Sequence, residues 1–309
     1  MDAPLIAVVG PTASGKSALA LQLALERGGE IVSCDSLQVY RGLDIGSAKP
    51  SRAEQAIIPH HLIDIVDPDQ PFSAADYARL AREALAGIRE RRRLAVVVGG
   101  TGLYLRALLQ GMFEGPSRDE ALRRRLEGLA TRRGEAALHR LLARVDPTAA
   151  QRITPGDRVR VIRALEVFRL TGRPLSAHFG RPTAGLTGFS VKVVGLAPDR
   201  GRLRLAVERR TEEMWERGLL AEVRGLQAGG YGTDLRPLKA IGYRQAVAVT
   251  EGRLSEAAAR HDMVTETMRY AKRQMTWFRH QAEVSWHSGS EAALATALRW
   301  LEEPGRLAT

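Results

Sequence analysis

Residues 10–17, GPTASGKS, match the G-x-x-x-x-G-K-[ST] pattern of a phosphate-binding loop. Glycines let backbone N–H groups curl around phosphate oxygens at the positive end of the following helix. The predicted phosphate site comprises Gly10, Pro11, Thr12, Ala13, Ser14, Gly15, Lys16 and Ser17. Lys16 would bridge terminal phosphates, and the Ser17 hydroxyl would bind Mg²⁺. The loop alone leaves open whether the phosphates are cleaved between phosphorus atoms or leave together as a diphosphate.

A carboxylate, Asp35, follows Ile31 and Val32 at the end of the next apolar segment. The carboxyl ends of parallel strands meet at the sheet edge where ligands bind, so we expect Asp35 beside the phosphate loop. There it would hold Mg²⁺ or accept a proton from a bound nucleophile. The competing interpretation is structural, with Asp35 and Ser36 forming a cap or a turn at the strand end.

The third apolar segment ends in Gly99, Gly100 and Thr101, with no acid among them. An ATPase commonly places metal-binding and water-orienting acids at such strand ends, so their absence argues against a hydrolytic motor. Paired glycines would let a ligand approach the backbone, and the Thr101 hydroxyl would hydrogen-bond to it. A plain turn between strand and helix explains the same residues equally well.

Alternating strands and helices must position these residues. The run LIAVVG precedes the loop, and KSALALQLALERGG follows it with helical periodicity. EIVSCDS, LAVVVGG and FSVKVVGLAP predict further strands, and a helix opens at Ser73. We predict an α/β fold with a P-loop NTPase-like parallel sheet flanked by helices, and we expect the second strand at the centre of the sheet.

A helical segment interrupts this alternation from about Glu114, where long helical patterns follow one another without an evident strand. We therefore predict a catalytic core domain formed by residues 1–113 and 189–309. Residues 114–188 would form an inserted helical domain. The chain would cross between the two domains twice.

The net charge of +11 is unevenly distributed. Residues 1–113 carry 12 basic and 12 acidic side chains, whereas residues 114–190 carry 15 and 8. A basic insertion is typical of a protein that binds a polyanion such as a nucleic acid. Only five of the 46 basic residues are lysines, however, and an arginine excess that reflects genome base composition would look the same.

A second basic feature lies near the C-terminus, where Arg269, Lys272 and Arg273 share one face of a predicted helix and Trp277 follows. Basic and aromatic side chains together can hold phosphates and stack on unpaired bases. A solvated basic face over an apolar core fits the pattern nearly as well.

Cysteine content and hydropathy bear on the compartment. The single cysteine, Cys34, excludes an intramolecular disulfide and a multi-cysteine zinc site, and we expect it to be buried in its strand. His60 and His61 lack partners at metal-ligand spacing, which favours a structural or pocket role over zinc. Without a basic leader or an apolar run of about 20 residues, we expect a cytoplasmic protein with no membrane contact. A monomer is the default expectation.

Eight motifs carry a resemblance to a known family. In chain order they are GPTASGKS, SCDSLQVYRGLDIGSAKP, PHHLIDIVDP, FSAADY, VVGGTGLYLRALLQG, RALEVFRLTGRPLS, KAIGYRQ and AKRQMTWFRH. Over residues 5 to 287, the chain closely resembles the bacterial tRNA dimethylallyltransferases of the IPP transferase family. The resemblance implies transfer of a dimethylallyl group from dimethylallyl diphosphate to N6 of the adenosine just 3′ of a tRNA anticodon, at position 37. It also implies Mg²⁺ and the release of diphosphate.

The resemblance assigns roles residue by residue. The phosphate loop would hold the diphosphate of the prenyl donor, and Asp35 would be the general base for the adenine amine. Thr101 would help to place the amine and the diphosphate, and Arg210 would stabilise the leaving diphosphate. Contacts with the tRNA anticodon stem-loop would come from Asp35, Ser36, Leu37, Gln38, Arg123, Val159, Arg160, Val161, Ile162, Arg163, Ala240, Ile241, Gly242, Tyr243, Arg244, Gln245, Arg273, Gln274, Met275, Thr276, Trp277, Phe278, Arg279 and His280.

Two positions depart from the pattern of the family. Ala206 and Met268 each stand where the family commonly has an arginine. Neither change touches the proposed base or the loop, but both affect how the diphosphate and tRNA would be anchored. Arg269 is the candidate to replace the displaced charge.

Three other functions fit parts of the sequence. A prenyltransferase of free adenine nucleotides and a small-molecule kinase would use the same loop, but neither requires a basic insertion. A non-catalytic RNA-binding NTPase switch is disfavoured by Asp35 and by the acid-free turn at residues 99–101.

Overall fold

The computed structural model describes residues 2–113, 115–178 and 185–303. Glu114, at which the sequence pattern begins the insertion, lies outside the described residues, as do residues 179–184 and 304–309. The chain divides into two compact units. The first unit comprises Met1–Gly111 and Gly185–Thr309, and the second comprises Met112–Ala184. These boundaries differ by a few residues from those expected at 113/114 and 188/189.

The first unit contains a six-stranded parallel sheet. Its strands are β1 (Ala3–Val9), β2 (Glu30–Ser33), β3 (His60–His61), β4 (Ala95–Gly99), β5 (Phe189–Leu196) and β6 (Ser285–His287). Their order across the sheet is β3-β2-β4-β1-β5-β6, and all neighbouring pairs are parallel. The predicted α/β class and its four strands are confirmed. β3 and β6 were not predicted, because segments of two and three residues are too short to show a periodic pattern.

β2 lies second from one edge of the sheet and not at its centre, so the expected central position is wrong. All four of its residues are nevertheless buried. An apolar strand reports that both faces of the sheet are covered, not that the strand is central. Here the short strand β3 pairs with the outer edge of β2.

The helices of the described ranges are α1 (Lys16–Arg27), α2 (Arg52–Ile57), α3 (Ala74–Glu90), α4 (Gly102–Gln110), α5 (Glu120–Arg133), α6 (Glu135–Val145), α7 (Pro147–Arg152), α8 (Arg158–Thr171), α9 (Arg200–Glu216), α10 (Leu219–Ala228), α11 (Tyr243–Thr250), α12 (Glu256–Gln281) and α13 (Ser290–Leu301). Ser73 caps α3 as predicted, since its side chain accepts from the N–H of Asp76 while the Asp76 carboxylate accepts from the N–H of Ser73. Across the described ranges, no helix is long and apolar enough to cross a bilayer.

Helices pack on the sheet and hold the ends of its strands. One core cluster joins Val8 and Val96 of the sheet to Leu23 of α1 and Ala297 of α13. α3 and α4 pack together, and the ring of Tyr77 stacks on Tyr104 with centroids 4.4 Å apart. Because both strands and helices are fixed by buried apolar contacts, the turns that follow β1, β2 and β4 rest on a rigid support.

The second unit has its own core. Its described residues form α5 to α8 and a 3₁₀ turn at Leu175–His178, without a strand. Leu138 and Leu142 of α6 pack against Val161 and Leu165 of α8. The helical character predicted for this segment is therefore confirmed for the residues that the structure describes.

Candidate active site

The phosphate loop joins β1 to α1 in the conformation that an anion site needs. Gly10 (φ 150°) and Gly15 (φ 87°) have backbone angles that other residues rarely adopt. A Cβ at Gly10 would also lie 2.7 Å from the carbonyl oxygen of Leu196. The Lys16 ammonium folds back over the loop and donates to the Pro11 carbonyl at 3.1 Å. The Ser14 hydroxyl oxygen is buried without a hydrogen-bond partner, as expected of a group that awaits a ligand.

Asp35 forms the turn at the end of β2. Its Oδ1 accepts from the N–H of Leu37 at 2.8 Å. The next residue, Ser36, donates its N–H to Thr101 Oγ1 at 3.2 Å, which ties this turn to the one after β4. A Cβ at Gly99 would lie 2.0 Å from the carbonyl oxygen of Cys34, so the two turns approach too closely for a side chain there. The turn interpretation of Asp35 is therefore correct, but it does not exclude a chemical role.

Two cavities meet at Asp35. The first, which we call the phosphate-side cavity, has a volume of about 80 Å³ and is lined by Lys16, Ser17, Gln38 and Gln274. The second, which we call the aromatic cavity, has a volume of about 370 Å³ and is lined in part by the rings of Tyr40, Phe72, Tyr104 and Tyr270. Thr12, Asp35, Ser47, Arg210 and Tyr270 belong to the walls of both cavities.

Helices α9 and α12 supply much of the wall of the aromatic cavity. Val207, Arg210 and Met214 come from one face of α9, at helical spacing. Met263, Thr267, Tyr270 and Arg273 come from one face of α12. Arg236 and Lys239 add two exposed cations to the same wall. The cavity thus combines an apolar and aromatic interior with basic side chains that reach solvent.

Burial perturbs the cations beside Asp35. Burial and the nearby charge of Arg210 lower the pKa of Lys16 to about 8, against the opposite effects of Asp35 and Cys34. Burial also lowers the pKa of Arg210, which Asp35 and Glu213 partly offset. Two cations held near one carboxylate give the site an excess of positive charge, suited to a multiply charged anion.

Two other titratable groups near Asp35, Cys34 and Tyr270, stay neutral because their pKa values are raised. Burial raises the pKa of the Cys34 thiol to about 12, which keeps it protonated and unreactive. Burial and the charge of Asp35 raise the pKa of the Tyr270 phenol to about 12. Asp35 is therefore the candidate proton acceptor where the cavities meet, since it is the one carboxylate among the described residues that line them.

The donors near Ser17 suit a hard cation. Ser17, Ser33 and Asp35 present oxygen atoms to the phosphate-side cavity, and oxygen ligands are what Mg²⁺ prefers. Among the described residues, no cluster of three or more His, Cys, Asp or Glu side chains could hold a metal ion. The residues present therefore fit a Mg²⁺ ion that shares its coordination with ligand phosphates, and they do not fit an all-protein metal cage.

Some of the residues proposed for RNA contact in the first unit line one of the two cavities. Ser36, Leu37, Ala240, Ile241 and Arg273 line the aromatic cavity, while Gln38 lines the phosphate-side cavity.

Other residues proposed for RNA contact, Tyr243 and Gln245, point into the protein. The Tyr243 hydroxyl donates to Glu222 Oε1 at 2.7 Å. The Gln245 side chain accepts from the N–H of Gly242 at 2.8 Å and donates to Asp262 at 2.7 Å. These two side chains shape the wall that carries Ala240 and Ile241.

The C-terminal basic helix, α12, has exposed basic side chains on one side and buried side chains on another, and its contact with RNA stays a prediction. Arg273, Arg279 and His280 are exposed, whereas Phe278 and Gln274 are buried. Trp277 lines a separate cavity of about 410 Å³ together with Trp300. Arg269, the candidate substitute for the displaced arginine, is exposed and pairs with Glu266 at 2.5 Å.

The predicted RNA-binding residues of the second unit are mostly internal. Val161 and Ile162 are buried in its core. Arg123 and Arg163 both pair with the fully buried Glu166, at 2.7 and 2.6 Å. Val159 and Arg160 are exposed. Contact of this whole set with tRNA stays a prediction, and the exposed pair is its accessible part.

Sequence reasoning from residue patterns alone missed the α9 face and the inward role of Gln274. A signal existed for both. Arg210 stands between Val207 and Met214 on an otherwise apolar stripe, and Gln274 stands between Ala271 and Phe278 on another. A charged or amide side chain on a buried face requires a polar partner, and for both residues that partner lies in the site.

Fold and site together define a phosphate-loop α/β protein in which a carboxylate near two cations lines two adjoining cavities. Comparison with known proteins narrows this class. A match to the family described as IPP transferase covers residues 38–281. The chain is 50% identical over 282 residues to a tRNA dimethylallyltransferase of Geobacter metallireducens, covering 91% of each chain. It is also 50% identical over 279 residues to that of Myxococcus xanthus, covering 90% of each.

Comparison with solved structures points to the same family. The tRNA isopentenylpyrophosphate transferase of Bacillus halodurans shares 39% identity and a TM-score of 0.69, covering 96% of this chain and 95% of that one. A eukaryotic dimethylallyltransferase acting on tRNA has a TM-score of 0.78 at 25% identity, covering 97% of this chain and 79% of that one. The chain belongs to the IPP transferase family. The resemblance inferred from the eight motifs is thereby confirmed.

Proposed function

We propose that this chain transfers a dimethylallyl group from dimethylallyl diphosphate to N6 of the adenosine at position 37 in tRNAs, giving N6-dimethylallyladenosine and diphosphate. The proposal rests on one feature of the site, namely that Asp35 and Arg210 belong to both the phosphate-side and the aromatic cavity. A diphosphate in one cavity and an adenine in the other would meet at these two side chains. The names of the relatives support the same reaction.

The phosphate-side cavity suits the diphosphate of the donor. Lys16, Arg210 and the loop amides would neutralise its charge, which makes it a better leaving group. Thr101 accepts from the N–H of Ser36, so its own hydroxyl proton remains free to donate to the diphosphate or the substrate. Mg²⁺ held by the Ser17 hydroxyl and the phosphates would add further charge neutralisation when bound.

The aromatic cavity suits an adenine base that has left its stack. An adenosine within an anticodon loop must swing out to reach Asp35, and the aromatic side chains that line this cavity would give the base an apolar surface to pack against. Arg236, Lys239 and Arg273 would meet the flanking phosphates. The tRNA anticodon stem-loop is accordingly the proposed partner, bound by a monomer.

In the proposed reaction one bond breaks, one bond forms and one proton passes to Asp35. The bond between C1 of the donor and its diphosphate oxygen breaks, and the oxygen keeps the electron pair. The N6 lone pair of adenine forms the new bond to C1, and an N6 proton passes to the Asp35 carboxylate. Adenine N6 is a poor nucleophile because its lone pair is delocalised, so both the base and close positioning are needed.

Mass analysis of nucleosides tests the proposal. Purified protein is incubated with unmodified tRNA, Mg²⁺ and either dimethylallyl diphosphate or ATP. We expect N6-dimethylallyladenosine only with the prenyl donor. Asp35→Asn, which keeps the size of the side chain, should bind tRNA normally while transfer falls at least about a hundredfold. Transfer by Asp35→Asn at the normal rate would contradict the role of the base, and a product formed only with ATP would contradict the reaction.

A further inference from the structure

Gln274 joins two segments of the site. It lies on α12 with 6% of its surface exposed and faces the phosphate loop and the turn after β4. Its Oε1 accepts from the N–H of Thr12 in the phosphate loop at 2.9 Å. Its Nε2 donates to the carbonyl oxygen of Gly100, in the turn after β4, at 3.0 Å. One carboxamide thus holds the phosphate loop and the glycine turn at fixed positions relative to α12.

The two hydrogen bonds of Gln274 require an acceptor and a donor at the end of one side chain. The carboxamide of Gln274 offers an acceptor to one backbone group and a donor to another from the same end of the side chain, and asparagine is one methylene shorter. Gly100 must also lack a side chain, because a Cβ there would lie 2.1 Å from Gln274 Nε2. The bond to Thr12 directs that loop amide toward the protein and so fixes which loop amides face a phosphate.

The same helix borders the aromatic cavity. Tyr270 and Arg273, one turn or less from Gln274, line it, and Tyr270 and Gln274 also line the phosphate-side cavity. A ligand that contacts this face of α12 restricts the helix, and a ligand in the phosphate loop restricts the loop that Gln274 holds. Each ligand therefore removes part of the entropy cost of ordering the site for the other.

We propose that Gln274 is a positioning residue that couples the phosphate loop to the RNA-facing helix, so that diphosphate and RNA bind with positive cooperativity. The identity of the two ligands rests on the proposed function. Gln274 acts through Thr12 and Gly100 and takes no part in the bond changes. By linkage, RNA must strengthen diphosphate binding by the same factor by which diphosphate strengthens RNA binding.

The test uses Gln274→Met, which keeps the length of the side chain but removes both hydrogen bonds. Gln281→Met, on the same helix and exposed, is the matched control. Calorimetry measures the affinity for inorganic diphosphate with and without a saturating anticodon stem-loop RNA. Wild type and Gln281→Met should gain at least about fivefold in affinity with RNA. Gln274→Met should bind diphosphate alone about tenfold more weakly, and RNA should add almost nothing.

A folded Gln274→Met with the cooperativity of wild type would overturn the proposal, as would a wild type that shows none. If Gln274→Met does not fold, Gln274→Asn keeps a carboxamide at this buried place but is one methylene too short to bond to both Thr12 and Gly100. This variant should also lose the cooperativity, and a folded variant that retains it would equally contradict the proposal. The nucleoside assay on wild type separately decides the reaction, so an enzyme that modifies tRNA without cooperative binding would contradict only the role of Gln274.

Discussion

At the scale of one residue, Asp35 forms a turn and also carries the chemical role that we propose. Its Oδ1 holds the turn by accepting from Leu37, while the side chain still borders both cavities. The turn fixes the carboxylate without a flexible arm, which is the preorganisation that a general base needs. Lys16 and Arg210 are similarly held by burial, so their charges act in a medium of low dielectric constant.

Lys16 makes diphosphate binding depend on pH. Its pKa in the free protein is lowered to about 8, so Lys16 is charged below pH 8 and becomes neutral above it. A bound diphosphate favours the charged form, and affinity should therefore fall as pH rises through 8. Between pH 7 and pH 9 we expect a loss of about tenfold, together with proton uptake on binding near pH 8. Calorimetry in buffers of different ionisation enthalpy measures both.

The control for this prediction is Lys16→Met, which should bind more weakly but take up no proton at pH 8. Proton uptake that persists in Lys16→Met would assign the titration to another group, and a flat affinity profile in wild type would contradict the lowered pKa.

At the scale of elements, Glu166 joins helices of the second unit. It lies on α8, and both its oxygens accept from Arg123 of α5, at 2.7 Å. Arg163 donates to it from one turn away, and the N–H of Asp119 at the start of α5 donates at 3.0 Å. Burial by itself would raise the pKa of Glu166, but these hydrogen bonds outweigh burial and hold its pKa at about 2.

Glu166→Gln should destabilise the second unit. Two arginines lose the charge that pairs with them in a buried place, at a cost of about 3 kcal/mol in the free energy of unfolding. The ordinary pKa of a glutamate lies above the folded value, so the stabilisation is present at neutral pH and is lost as pH falls from about 4.5 toward 2. Urea unfolding of the full chain at pH 7 and pH 3 measures the difference.

Glu127→Gln, on the exposed side of α5, is the matched control and should change stability by less than about 0.5 kcal/mol. If Glu166→Gln were as stable as this control at pH 7, the Glu166 cluster would not be what joins the helices.

At the scale of the whole molecule, charge separates the two parts of the chain. Residues 114–190 carry 15 basic against 8 acidic side chains, and residues 1–113 are balanced. The structure refines which of these charges are accessible, because Arg123 and Arg163 are committed to Glu166. Arg160 is different, with 71% of its side chain exposed.

Arg160→Glu should therefore weaken tRNA binding without affecting the fold. Reversal of one phosphate contact is expected to raise Kd about fivefold and to reduce the slope of log K against log salt by about 1. Filter binding across a salt series measures both quantities.

Arg202→Glu is the matched control in the first unit. Like Arg160, it pairs with an aspartate three residues earlier, at 3.2 Å compared with 3.4 Å for Arg160. Equal effects of the two substitutions would mean that the tRNA does not distinguish these surfaces, contrary to the predicted role of the second unit.

Local sequence was sufficient for the phosphate loop, the four longer strands, the helix that starts at Ser73 and the helical insertion. These features depend on backbone conformation and on residues close in the chain, such as the glycines of the loop and the capping pair Ser73 and Asp76. The order of the strands, the short strands β3 and β6 and the partners of Gln274 and Glu166 depended on contacts between distant segments. Periodicity shows that a side chain is buried but not against which group, so the tertiary structure alone decided that Gln274 meets Thr12 and that Asp35 lies between two cavities.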